Sequence, residues 1–267
     1  MEFTKEEVYR YARHIILPEV GGVGQEKLLK SKVLSIGAGG LGSPLLAYLA
    51  AAGVGKIGIV DFDKVEVSNL QRQIIHNVDN VGQYKADSAK EFINKLNPGV
   101  DVELFYERFN AKNGADIISE FDIVVDGTDN FPARYLINDL TVFQKKPNIH
   151  GSIFRFEGQV TVFDSKTGPC YRCLYPEPPP PGSTPSCHEA GVLGILPGII
   201  GLLQAQEVIK IIIGIGQPLI GRLLLYDALA TEFRKLKIQK DPDCLICSSN
   251  RTIHEPIDYE EFCQVRT

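Results

Sequence analysis

The sequence predicts an α/β fold: a Rossmann-like, mostly parallel sheet with helices on both faces, extended by antiparallel strands in its C-terminal half. Three observations predict it. The apolar run Val33 to Ile36 leads into Gly37-Ala38-Gly39-Gly40-Leu41-Gly42 and then a helix-like stretch, Leu45 to Ala52. That is the strand, glycine turn and helix that bring bare backbone up to a nucleotide phosphate. A second apolar run, Lys56-Ile57-Gly58-Ile59-Val60, ends in Asp61, about where such a unit places its ribose-binding carboxylate. Beyond Pro147 the pattern changes to short alternating runs, as antiparallel strands have.

Length and composition fit one continuous domain, 1–267, with a nucleotide-binding half at 1–150 and a second half at 151–267. A net charge of −5 and a pI near 5.6 leave no polybasic footprint, so nucleic acid is not expected as the main partner. The apolar run Val192 to Ile213 contains Pro197, Gln204, Gln206, Glu207 and Lys210, which suits a buried helix rather than a membrane span. Met1 to Arg13 is charged and amphipathic, unlike a secretion signal, so a cytoplasmic chain is expected.

Taken in order, Thr4-Lys5-Glu6-Glu7 has capping-box spacing, and a helix is expected from there to about Leu17, stopped before Pro18. Its polar face carries Arg10, Arg13 and His14, which spacing alone leaves on a solvated face. Gly21-Gly22-Val23-Gly24 is expected to be a flexible joint. After the glycine turn, Pro44 fits the first helical turn, where a missing N–H costs nothing. Between Phe62 and Tyr84 the rhythm breaks into a polar segment, Ser68-Asn69-Leu70-Gln71-Arg72-Gln73; a loop this long in a compact domain points to function.

A helix follows from about Lys85 to Leu96, ended by Asn97-Pro98-Gly99. Next come a strand at Val102 to Tyr106 and a helix around Gly114 to Glu120. Phe121 to Asp126 reads as a buried parallel strand running into Gly127-Thr128-Asp129-Asn130. Such a turn, at a strand's C-terminal end, is where open α/β sheets bind ligands. Past Pro147, Phe154 to Glu157 and Gln159 to Phe163 are expected to pair antiparallel through Gly158. The run Pro178-Pro179-Pro180-Pro181 favours an extended, exposed loop. A long apolar helix is expected from near Leu193, kinked at Pro197, followed by strands at Arg222 to Tyr226 and Phe233 to Ile238.

The cysteines carry the clearest metal signal. Cys170-Tyr171-Arg172-Cys173 and Cys244-Leu245-Ile246-Cys247 supply four thiolates, the complete shell of a closed tetrahedral Zn²⁺ site. A closed shell leaves no position for water, so the site reads as structural, clipping two distant stretches together. One or two redox dithiols are the alternative, without a thioredoxin-like strand–helix context to support them.

The glycine loop, Asp61, Asn69, Arg72, Gln73, Lys85 and Asp129 form a second constellation. Hydride transfer wants an acid or base poised near neutrality, and no His or Tyr stands out for that role. Attack of a carboxylate on the α-phosphate of ATP suits the set better. A chain-terminal carboxylate, with a pKa of about 3.5, is already ionised at pH 7 and needs no general base. The obstacle is an anion attacking a polyphosphate. Arg72 and Lys85 would neutralise the phosphates, Asp129 would hold Mg²⁺, and Asp61 would take the ribose hydroxyls. Surface ion pairs are the bland alternative for Arg72, Lys85 and Asp129.

Arg10-Tyr11-Ala12-Arg13, the glycine loop, Asp61-Phe62-Asp63, Ser68 to Gln73, Gly82-Gln83-Tyr84-Lys85 and Asp126-Gly127-Thr128-Asp129-Asn130 occur in that order. With both cysteine pairs, they make nearly the whole chain resemble the ThiF/MoeB/HesA family, most of all its MoeB-type members. These proteins are relatives of the ubiquitin-activating enzymes. The resemblance implies an ATP-dependent adenylyltransferase acting on the C-terminal Gly-Gly carboxylate of a ubiquitin-like sulfur-carrier protein, ahead of thiocarboxylate formation. It implies ATP contacts from Gly37, Gly39, Gly40, Gly42, Asp61, Asp63, Asn69, Arg72, Gln73, Lys85, Asp129 and Asn130. It also implies a homodimer in which Arg13 reaches the partner's ATP site, a carrier-binding role for the second half, and a separate sulfur donor, a desulfurase or rhodanese. Cys187, in Thr184-Pro185-Ser186-Cys187-His188-Glu189-Ala190-Gly191, is catalytic or sulfur-bearing in some family members, with a buried small hydrophobe as its alternative. Cys263 matches nothing in the family and reads as a surface thiol. Against this stand a tRNA threonylcarbamoyladenosine cyclase of the same family, an NAD-dependent oxidoreductase and a non-catalytic zinc-bearing module.

Overall fold

The computed structural model describes residues 3–179, 191–257 and 259. Its layout follows from β1 (Lys32–Ile36), whose last four residues are all buried. Successive strand residues point to opposite faces, and Val33 and Leu34 accordingly join different apolar clusters. Both faces of the sheet must therefore be covered. On one side lie α4 (Gly42–Ala52), α5 (Lys85–Leu96) and the long α9 (Leu196–Ile213), through Leu45, Ile93 and Ile200. On the other lie α6 (Gly114–Ser119) and α7 (Phe131–Phe143), through Ile118 and Ile137. A strand covered on both faces has to be apolar throughout, which is why these runs were legible as strands.

The remaining strands are β2 (Lys56–Val60), β3 (Asp101–Phe105), β4 (Ile123–Asp126), β5 (Asn148–Phe154), β6 (Glu157–Phe163), β7 (Arg222–Asp227) and β8 (Glu232–Lys237). They form one eight-stranded sheet in the order β3-β2-β1-β4-β5-β6-β7-β8. Pairings from β3 to β5 are parallel and those from β5 to β8 antiparallel. This matches the expected parallel sheet with an antiparallel extension. The chain order reverses between β1 and β4, so the loops after these strands diverge and leave a crevice between them. Residue 150 lies inside β5, so the sheet runs unbroken from the first half into the second.

Several local expectations change. The capping box is present, with Glu7 N donating to Thr4 Oγ1 and Thr4 N to Glu7 Oε2. The helix nevertheless breaks at Tyr11 into α1 (Lys5–Arg10) and α2 (Ala12–Ile15). Tyr11 is buried there, and its hydroxyl accepts a bond from Asn97 Nδ2 at 2.9 Å. Gly21 to Gly24 is no joint: it begins α3 (Gly21–Lys30), and Gly24 is buried against Ile213 at the end of α9. The helix α7 was not anticipated. The hairpin turns at Arg155, with φ 52°, rather than at Gly158, and β5 begins six residues earlier than expected, at Asn148. Gly158 instead lies within β6, where a Cβ would sit 2.4 Å from Ile200 Cδ1. Pro197 falls in the first turn of α9, so there is no preceding helix for it to kink. By length and composition α9 could cross a bilayer, yet half of it is buried inside the molecule, packed on α4, β5 and β6. The prolines at 180 and 181, Cys187 and Cys263 lie outside the described residues.

The close approach at Gly158 yields a stability prediction. Gly158→Ala overpacks the β6–α9 contact and should lower the free energy of unfolding by about 1–3 kcal/mol. Chemical denaturation measures this, and adding Ile200→Val should recover part of the loss. An unchanged midpoint would remove Gly158 from the packing constraint.

Candidate functional site

The crevice after β1, β2 and β4 is a cavity of about 660 Å³. Gly37, Gly39, Gly40, Asp61, Asp63, Asn69, Arg72, Gln73, Lys85, Asp129 and Asn130 all line it, so the structure gathers the expected nucleotide residues with the exception of Gly42. Arg13 is exposed on α2 and lies outside the lining.

The glycine loop is shaped by close contacts. Gly37 has φ 102°, a left-handed backbone that a side chain would strain. A Cβ on Gly42 would lie 2.2 Å from the Gly37 carbonyl oxygen. Gly42 thus sets the distance between loop and helix α4 instead of facing the cavity. Among the described residues, the N–H groups of Gly39 and Gly40 have no hydrogen-bond partner, and with the N-terminus of α4 they offer donors to an anion.

Asp61 is buried, and its two oxygens accept from Ala38 N at 2.8 Å and Asp63 N at 3.0 Å. Burial raises its carboxyl above the usual range, opposed by the Ala38 N–H and the charge of Lys85. Asp61 therefore holds the loop in shape as well as facing the cavity. Lys85 is buried and donates to Asp63 Oδ2 at 2.8 Å. Arg72 donates to Ser68 O at 3.1 Å, and its side chain lies beside Gly40. Asn69 is buried and turns the segment by accepting from Glu66 N at 3.1 Å. Gln73 Oε1 is buried with no partner among the described residues. Asn130 caps α7 by accepting from Ala133 N at 2.9 Å, which leaves Asp129 exposed at the turn before it.

Sequence reasoning missed what holds that turn. Asp126 Oδ1 accepts from Thr128 N at 3.0 Å and from Thr128 Oγ1 at 2.6 Å, while Oδ2 pairs with His150 Nδ1 at 2.7 Å. Asp126 and His150 are fully buried. Burial alone would raise the Asp126 carboxyl, but the hydrogen bonds it accepts from His150 and Thr128 hold it below the usual range. Burial pushes His150 below its ordinary value, against the pull of Asp126. From α9, Gln204 donates to Asp126 O at 2.8 Å and Ile149 O at 3.1 Å, tying β4 to β5. Arg134, also missed, lines the cavity and donates to Thr128 O at 3.2 Å. The pair Asn130 and Pro132 is a helix-start signal that would have placed Arg134 one turn inside α7. No spacing links Asp126 to His150; only the β4–β5 register does, where they pair directly.

Away from the cavity, the four expected cysteines converge. Cys170 and Cys173 bracket the start of α8 (Tyr171–Leu174), and their sulfurs meet those of Cys244 and Cys247. Neighbouring sulfurs lie 3.8, 3.6 and 3.4 Å apart. Disulfides would require about 2.05 Å. Sulfurs each about 2.3 Å from a tetrahedral zinc would be about 3.8 Å apart, so the donor set fits that ion.

Comparison with known proteins adds to this geometry. Residues 11–246 match a family model described as the ThiF family. The chain is similar to the sulfur carrier protein adenylyltransferase of Thermus thermophilus, 51% identical over 271 residues and covering 100% of both chains. It is also similar to the adenylyltransferase and sulfurtransferase MOCS3 of Culex quinquefasciatus, 48% identical over 99% of this chain but only 61% of that one. Among solved structures, E. coli MccB aligns with a TM-score of 0.81 over 90% of this chain and 75% of its own, at 23% identity, a likeness of fold.

The buried histidines give the structure a pH dependence. Burial lowers both His76 and His150 in the folded state. Below about pH 6.5 the unfolded chain takes up protons that the folded chain refuses, so stability falls as pH drops, by up to about 1.4 kcal/mol per unit for each group. Asp61, raised when folded, acts in the opposite sense, from its usual value of 3.8 upward. Denaturant unfolding between pH 7.5 and 5.5 should show the decline, with a shallower slope in His150→Gln. Equal slopes would show that His150 is not held neutral.

Proposed function

The chain belongs to the ThiF family, and we propose that it uses ATP to adenylate the C-terminal Gly-Gly carboxylate of a ubiquitin-like sulfur-carrier protein. One observation carries the reading. A single cavity gathers the open N–H groups of the glycine loop, the cations Arg72, Lys85 and Arg134, and the exposed carboxylate of Asp129. The carrier's terminal oxygen attacks the α-phosphorus, a C(O)O–P bond forms, the bond to the β-phosphate bridge breaks, and pyrophosphate leaves. No proton moves, which accords with a site whose buried histidines are engaged elsewhere.

Each side chain then has a task. Arg72 and Arg134 offset phosphate charge, and the loop amides hold the phosphates from below. Lys85 exchanges part of its bond to Asp63 for the α-phosphate as negative charge builds there. Asp61 and Asp63 face the ribose, with Asn69 and Gln73 beside the phosphates. Asp129 would hold Mg²⁺, which polarises the phosphates when bound. Tyr9, Ile16 and Val23 stand 89%, 66% and 71% exposed on and between the helices around Arg13. A second copy covering that apolar stretch would carry Arg13 to its partner's cavity. Phe154, Leu225 and Leu236 share one sheet face by register and are at least partly exposed, which suits a protein substrate. The four thiolates would hold a structural Zn²⁺, and sulfur would come from a separate desulfurase or rhodanese.

The test is ATP–pyrophosphate exchange that depends on a carrier ending in Gly-Gly. Lys85→Ala should slow exchange by roughly 10²–10³-fold, as for loss of one preorganised charge-stabilising donor. Carrier-independent exchange, or full activity without Lys85, would overturn the assignment of substrate or residue respectively. Metal analysis of the purified protein should find one zinc per chain. Chelation should lower the melting temperature, and Cys247→Ser should lose both the metal and that response.

A further inference from the structure

His76 lies in the polar segment between Phe62 and Tyr84, is buried, and is absent from the cavity lining. Its ring nonetheless touches the backbone that shapes the cavity. Nε2 lies 3.0 Å from Ala38 O, in the centre of the glycine loop, and Nδ1 lies 2.8 Å from Ser88 Oγ on α5. A carbonyl only accepts, so Nε2 carries the proton, and Nδ1 accepts from the Ser88 hydroxyl. The other side of the same residue is fixed too: Ala38 N donates to Asp61 Oδ2 at 2.8 Å. Ala38 is thus gripped through both its N–H and its carbonyl, and a backbone held this way has no freedom to turn the amides of Gly39 and Gly40 away from the crevice.

One imidazole therefore joins three separate pieces of the cavity wall. The glycine loop is bound through Ala38. The segment bearing Arg72 and Gln73 is bound because His76 follows Gln73 by three residues, within a turn in which His76 N donates to Gln73 O at 3.1 Å. The helix bearing Lys85 is bound through Ser88, one turn along α5. We infer that His76 is a positioning residue that sets the phosphate cradle, acting as a neutral Nε2–H tautomer between the glycine loop and α5. Burial and the nearby charge of Lys85 disfavour its protonation, consistent with that tautomer.

The inference rests on the reading of the cavity as an ATP site only for its effect on catalysis; the clamp itself is testable without nucleotide. In the full chain, 15N NMR of the His76 ring should report a protonated Nε2 and an unprotonated Nδ1 at pH 7. His76→Leu should keep the global unfolding midpoint within a few degrees while the Ala38 amide exchanges with solvent about tenfold faster. His76→Gln, whose amide donates from the Nε2 position, should restore protection. With Mg-ATP and carrier, His76→Leu should lose about 10²-fold in exchange rate, the scale of a misplacement of about 1 Å, and His76→Gln should regain most of it. A proton on Nδ1, or wild-type protection of Ala38 in His76→Leu, would overturn the clamp whatever the ligand. A wild-type chain that binds no ATP would overturn the functional reading, and the ring and amide measurements would still decide the clamp.

Discussion

The backbone contact between Gly37 and Gly42 governs the rest of the site. With no Cβ at Gly42, the first turn of α4 sits directly against the Gly37 carbonyl, and the loop between them is forced outward over the ends of β1 and β4. Among the described residues the amides of Gly39 and Gly40 have no partner, which gives them capacity for an anion. The α4 dipole acts at the same point. Because β1 and β4 lie where the chain order reverses, the Gly127–Asn130 turn opens on the opposite wall of the same crevice. Any substrate anion held by the loop is then within the lining that includes Arg72, Arg134 and Asp129.

Charge in the crevice is arranged around pairs that can be exchanged. The side chain of Lys85 is only 9% exposed, whereas that of its partner Asp63 is 53% exposed. A buried ammonium without a partner would be strongly disfavoured, and Asp63 supplies that partner. A phosphate bound as proposed would provide a stronger charge at a similar place, and solvent could take up the carboxylate that is released. Asp61 is different. Both its oxygens are engaged by backbone N–H groups and its side chain is deeply buried, so its part in the ligand site is inseparable from its part in the fold.

The sequence pattern exposed the wall of the cavity far better than its supports. Glycines, strand-ending acids and the run from Ser68 to Arg72 are local signals, and the resemblance to a family added their roles. Asp126 and His150 were silent because a buried pair formed through strand register has no sequence spacing. His76 was silent because its partners, Ala38 and Ser88, lie 38 residues before it and 12 after it. The misplaced features share one cause. Gly24, Gly158 and Pro197 have strong local meanings as joint, turn and kink, and tertiary contacts with α9 or a place at its start give them others. Packing against the apolar helix, which no local rule describes, decides the two glycines, and the point at which that helix starts decides the proline.

The cysteine cluster also bears on the cavity, through α7. Arg172, between two of the cysteines, is buried and donates from Nε to Asp139 Oδ1 at 2.9 Å and from Nη2 to Asp139 Oδ2 at 3.1 Å. Tyr259 donates to the same carboxylate and itself lines the cavity. Asn138 Oδ1 accepts from Tyr171 N at 2.8 Å, fixing the adjacent residue of α7 to α8. Arg134 precedes Asp139 by about 7.5 Å along the helix. Anchoring Asn138 and Asp139 to the α8 segment therefore limits how far α7 slides or rotates, and with it the reach of Arg134 and the cap at Asn130. A metal that is chemically closed would in this way still constrain the cavity proposed to hold the phosphates. It would set the position of the helix from which Arg134 reaches and before which Asp129 stands.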